Sequence, residues 1–148
     1  MNAFPKEDPF MIAFRKIALS ALSVFALVSC GGATESASAA KSNLEGQGFT
    51  VSVYNADEYK KLSIAATLQG SDKVQNHLVA TKSNAESPAV FAAWFFGSFD
   101  DADSFRDTNL TVLARVYDGE ENAMGSHNNV VWVGNKEAAT KLGWRIVA

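Results

Sequence analysis

One cysteine, two histidines and three prolines in 148 residues leave several chemistries without material. The single thiol, Cys30, excludes a disulfide within this sequence and any zinc site built on paired cysteines. His77 and His127 stand apart, in no His-x-x-x-His pattern, and are read as structural or surface residues. The chain carries 13 Lys and Arg against 16 Asp and Glu, with no basic cluster, which argues against binding a phosphate backbone. Its longest weakly polar run, Ile17 to Ser29, is far short of the roughly 20 apolar residues a spanning helix needs. Nucleotide and nucleophile motifs are missing too: there is no Gly-x-Gly-x-x-Gly, no P-loop and no Gly-x-Ser-x-Gly elbow. Gly125-Ser126-His127 places a serine beside a histidine without the strand-turn-helix setting that would activate it.

What is present begins with Arg15 and Lys16, followed by that short apolar run and a close in small residues. These are the parts of a secretory signal, removed on export. Residues Met1 to Phe10, with Lys6, Glu7, Asp8 and two prolines, suit its basic start poorly, whereas Met11 opens a compact one, so Met11 is an alternative translation start. Leu27-Val28-Ser29-Cys30 resembles the lipobox of bacterial lipoproteins. That resemblance implies that Cys30 is alkylated by a diacylglyceryl group, that residues 1–29 are cleaved off, and that the mature protein is anchored to a membrane it does not cross. In enterobacterial lipoproteins an Asp directly after the lipidated cysteine favours the inner membrane; Gly31 at that place implies the outer membrane in a diderm source.

Behind the cysteine, residues 30–44 are rich in Gly, Ala and Ser and are expected to form a flexible tether. Residues 45–148 are the expected domain, with mass for one core and not two. Alternation gives strand-like runs over Phe49 to Tyr54, Leu62 to Gln69, Val74 to Ala80, Ala89 to Phe99, Asn109 to Asp118 and Val130 to Val133. Lys136 to Leu142 reads as a short helix between an Asn135 cap and a Gly143 stop, ahead of a terminal strand Trp144 to Val147. A helical alternative exists where Asn55 and Glu58 form a capping pattern ahead of Tyr59, Leu62 and Ala66, and another behind Ser87-Pro88.

From Lys73 to Gly134 the chain resembles bacterial immunoglobulin-like domains: Leu110-Thr-Val-Leu-Ala-Arg-Val-Tyr-Asp118, then Asn122, then Asn129-Val-Val-Trp-Val133. It departs from their pattern at Glu121 and in a longer loop to Asn129. The resemblance implies an all-β, immunoglobulin-like antiparallel β-sandwich, which needs no disulfide; an α+β domain is the alternative. The inward set of such a sandwich would include Ile64, Leu68, Leu110, Val112, Val116 and Val131.

Three groups of residues are candidate contacts. Ala89 to Phe99 is apolar on both faces, so Phe91, Trp94, Phe95, Phe96 and Phe99 form a candidate protein interface unless the C-terminal tail covers one side. Trp132 and Trp144 are candidate sugar-stacking residues, although aromatic side chains more often supply core. Asp100, Asp101, Asp103 and Asp107 crowd an expected inter-strand loop and are weak candidate Ca²⁺ ligands: Arg106 stands where a calcium loop needs glycine, and solvated acids are the simpler reading.

The expectation is therefore a lipid-anchored, non-enzymatic envelope module. It would serve protein interaction, adhesion or complex assembly, with a protein partner in the envelope, no nucleic acid and no cofactor beyond the lipid on Cys30. A carbohydrate- or ligand-binding module, with or without calcium, is the alternative.

Overall fold

The computed structural model describes residues 34–83, 88–116 and 121–146. The chain divides after Thr34, and the fold is that of the second unit, Glu35–Ala148. The expected signal, Cys30 and Gly31 lie outside the described residues, as do Tyr117 and Asp118.

The unit is α+β. A single open antiparallel sheet of five strands is covered by helices on both faces, and the expected β-sandwich is not formed. In chain order the elements are α1 (Ala37–Gly46), β1 (Thr50–Asn55), α2 (Ala56–Lys60), α3 (Ser63–Thr67) and a 3-10 turn (Ser71–Lys73). There follow β2 (Val74–Lys82), β3 (Ala89–Phe96), α4 (Phe99–Val116), β4 (Asn122–His127), β5 (Val130–Asn135) and α5 (Lys136–Leu142). The sheet order is β1-β2-β3-β5-β4, which leaves β1 and β4 at the edges and β3 in the centre.

Period two along β3 divides its side chains between two cores. Phe91, Ala93 and Phe95 point to the face covered by α1, α5 and Trp144, joined there by Leu78, Val130 and Trp132. Ala92, Trp94 and Phe96 point to the face covered by α2, α3 and α4, with Val131, Val133 and Phe105. A strand apolar on both faces is thus satisfied within one chain.

The residues expected to form a tether make most of α1. Ser36 caps it, its Oγ accepting from the Ala39 N–H at 3.1 Å, and Ala37, Ala40 and Leu44 form the buried stripe. Alanine-rich sequence supports helix when three such residues find a sheet to pack on. Lys41 and Glu45, one turn apart on the outer side, form an exposed ion pair at 2.6 Å.

The largest change concerns Asn109 to Asp118, expected as a strand and found, as far as it is described, in the C-terminal half of the 18-residue helix α4. Its buried residues Ala102, Phe105, Asn109 and Leu113 follow helical spacing, which places Leu110 on the solvent side at 48% exposure. Ser98 starts this helix by accepting from the Asp101 N–H at 3.1 Å. The segment Leu62 to Gln69 is likewise helical in part, as α3, behind the capping box of Asn55 and Glu58 that opens α2. In the expected polar loop before Asn129 the chain forms β4, and Trp144 to Ile146 is irregular where a strand was expected. Lys136 to Leu142 is the expected helix, capped by Asn135 and stopped by Gly143 in the left-handed region at φ 76°.

Candidate functional site

The strand directions bring one set of connections to a single end of the sheet: the β1–α2 junction, the start of β2, the end of β3 and the β4–β5 turn. The chain enters the folded unit at this end, and its first residue, Glu35, is held by four others. Asn129, 4% exposed in the β4–β5 turn, accepts from the Glu35 N–H at 2.6 Å through Oδ1. Its Nδ2 donates to the Glu35 carbonyl at 3.2 Å and to the Phe96 carbonyl at 2.9 Å. A side-chain amide thereby imitates a strand neighbour, pairing with the entering chain on one side and with β3 on the other.

The Glu35 carboxylate adds a second layer. Trp144 Nε1 donates to Oε1 at 3.1 Å, Asn128 Nδ2 reaches Oε2 at 3.5 Å, and His127 Nε2 lies 3.6 Å from Oε2. Asn128 occupies the left-handed region at φ 56°, which a two-residue hairpin turn requires and asparagine tolerates. His127 Nδ1 is buried without a hydrogen-bond partner among the described residues. Replacing Asn129 by alanine strips the Glu35 N–H and the Glu35 and Phe96 carbonyls of these bonds. Denaturant unfolding should report a loss of about 2 kcal/mol, and a change within about 0.5 kcal/mol would mean that the clamp contributes nothing.

Two cavities open at the same end. One, of about 310 Å³, lies between the start of α1 and the sheet, with Val53 and Phe95 as apolar floor and Ser36, Lys41, Gln75 and Asn76 among its rim. The other, of about 260 Å³, lies between the 3-10 turn and α4, lined by Asp72, Lys73, Asp101, Ser104 and Phe105 among others.

The structure does not bring the expected contact residues to the surface. Phe91, Trp94, Phe95 and Phe96 are 0–2% exposed, so as a protein interface they are corrected to core; Phe99 is half-buried at the start of α4. Trp132 and Trp144 are buried as well, and neither offers a free indole face to a sugar. Trp132 stacks on Phe91 at 5.7 Å and donates to the Arg145 carbonyl, while Trp144 packs edge-on to Phe95 at 5.9 Å. The four aspartates occupy the first half of α4 rather than a loop. Asp103 and Asp107 flank Arg106, at 3.5 and 2.9 Å, and Arg106 also donates to the Ser126 hydroxyl. Among the described residues no group of three or more His, Cys, Asp or Glu is placed to hold a metal ion.

His77 sits in β2 at 3% exposure, its ring stacked on Trp94 at 4.8 Å and near Tyr59 at 5.1 Å, with Nδ1 bonded to the Ala93 carbonyl at 2.9 Å. Burial pulls its pKa down to about 4, against the smaller opposite effect of that carbonyl. Burial also raises the pKa of Tyr59, whose hydroxyl shares a hydrogen bond with Ser71 Oγ at 2.9 Å that opposes the rise. The Trp94 N–H comes near enough to this hydroxyl to oppose it slightly too, yet without hydrogen-bond geometry, so its nitrogen stays unpaired. This cluster is a neutral histidine in an aromatic core.

The Glu35 clamp lies in the stretch whose Gly, Ala and Ser content pointed to a tether, and so was not expected. The legible signal was Ser36 ahead of Ala37, Ala40 and Leu44, a capped helical stripe that requires Glu35 to be ordered beside it. The chain matches no family model, no curated protein and no solved structure, so its function is argued from its own residues.

Proposed function

We propose that this chain is a lipid-anchored protein of the bacterial cell envelope whose folded unit is a non-enzymatic binding module working close to the membrane. One observation carries the reading: Leu27-Val28-Ser29-Cys30 closes a basic-flanked apolar run, and the folded unit begins at Glu35. Among the described residues no helix is long and apolar enough to cross a membrane. Gly31 supports outer-membrane sorting in a diderm.

Mass spectrometry of the native protein is expected to find an acylated N-terminal Cys30. Cys30→Ser should move most of the protein from the membrane to the soluble fraction, since the acyl chains dominate the binding energy. An unlipidated chain that still begins at Met1 or Met11 would refute the proposal.

The α1 cavity favours a second reading, binding of a small polar ligand such as a sugar. An apolar floor of Val53 and Phe95 under a rim of hydroxyl, amide and ammonium groups suits a ring with polar edges.

A further inference from the structure

We infer that the folded unit is held with one defined end against the lipid headgroups: the end carrying the β4–β5 turn, the start of α1 and both cavities. The inference rests on the lipid-anchor reading and adds an orientation to it.

Two observations carry it. The first is length. Only four residues lie between Cys30 and Glu35, and a fully extended chain covers at most about 3.6 Å per step, so the five steps put Glu35 within roughly 18 Å of the acylated cysteine. The second is the clamp. Glu35 is bonded at its N–H and carbonyl by Asn129 and at its carboxylate by Trp144, so the connection cannot lengthen by peeling α1 away without breaking those bonds. The opposite end, where β5 meets α5, is a further six strand residues away, about 20 Å at 3.3 Å per residue.

Charge does not supply this orientation. Glu35, Asp57, Glu58, Asp72, Asp100 and Asp101 lie at the anchored end, with Lys41, Lys60, Lys61 and Lys73 the nearby cations, so acids outnumber bases among the described residues there and anionic lipid is not what draws it down. The tether holds this surface down, and the residues lining the two cavities lie at the end nearest the headgroup layer.

The test uses the full lipidated protein in phosphatidylcholine vesicles, some of whose lipids carry a nitroxide on the headgroup. Since Cys30 is the chain's sole cysteine and its sulfur is blocked by the thioether to the diacylglyceryl group, an added cysteine takes a fluorophore specifically. Ser38→Cys, exposed in the first turn of α1, marks the anchored end; Lys136→Cys, exposed at the start of α5, marks the opposite one. The expected result is at least about threefold stronger quenching at 38 than at 136, from the roughly 20 Å difference in height, unchanged by high salt. Ten Gly and Ser residues inserted between Gly32 and Ala33 should abolish the difference, because such a chain is a flexible coil.

Equal quenching at the two positions, or stronger quenching at 136, overturns the orientation while leaving the lipid anchor intact. A protein whose Cys30 proves unacylated by mass spectrometry removes both the anchor and the orientation.

Discussion

Phe95→Ser is expected to lower stability by about 4 kcal/mol, from the cavity left by the ring and from a hydroxyl set in an apolar layer. Phe95 is 2% exposed in the central strand, edge-on to Trp144 and above the residues of α1. In a domain of this size the loss corresponds to a melting temperature roughly 15 °C lower, readable by circular dichroism. It is also a large share of the 5–15 kcal/mol that a typical domain has. Leu110→Ser is the matched control: at 48% exposure on the outer side of α4, it should change stability by no more than about 0.5 kcal/mol. An unchanged melting temperature in the first variant, or a large drop in the second, would contradict the arrangement of layers.

Acidification should destabilise the protein through His77. An unfolded histidine titrates near 6.5, whereas burial holds this one neutral down to about 4. As pH falls from 6.5 toward 4 the unfolded chain takes up a proton that the folded chain refuses. Stability from this group is therefore complete above 6.5, and about 3 kcal/mol is lost by the time pH reaches 4. His77→Gln should be less stable at pH 7.5, having lost its stacking on Trp94, but its stability should fall less steeply. Carboxylates contribute in both proteins at low pH, so the informative quantity is the difference between them from pH 7 to 5. Parallel profiles across that interval would show that His77 does not stay neutral in the folded state.

These two residues show which parts of the fold were open to reading. β3 was legible as a strand because its eight residues are rich in aromatics and form one short apolar run, although a helix behind Ser87-Pro88 was the competing reading. The choice between a contact surface and a second layer of core was settled by elements elsewhere in the chain, as α1 and α5 close one face and α4 the other. α5 was legible from its caps alone. α4 was lost to a coincidence: Leu110, Val112, Ala114 and Val116 alternate over seven residues, although the helical spacing of Ala102, Phe105, Asn109 and Leu113 runs across a longer window. Reading that window from Ser98, with its cap and following acids, would have favoured helix over an immunoglobulin-like strand.

The candidate site was less visible than the fold. Asn129 and Glu35 are 94 residues apart, and nothing in either neighbourhood announces the other. A buried amide that imitates a strand neighbour has no sequence pattern, because what it requires is a place in three dimensions. The aspartates of α4, conspicuous in the sequence as a group, are dispersed by the helix, and two of them flank Arg106.

The bond from Trp144 to Glu35 joins residues 109 apart, very nearly the two ends of the folded unit. A chain made from its N-terminus can dock α1 early, but the layer of α1, α5 and Trp144 over Phe91 and Phe95 cannot close until the last residues are free. Contacts this distant in sequence also slow folding, since the entropy of closing the loop is lost before the contact repays it. In the export route proposed above, such a delay would be useful. α5 and Trp144 are then the latch of the fold, the pieces whose arrival closes the layer over Phe91 and Phe95.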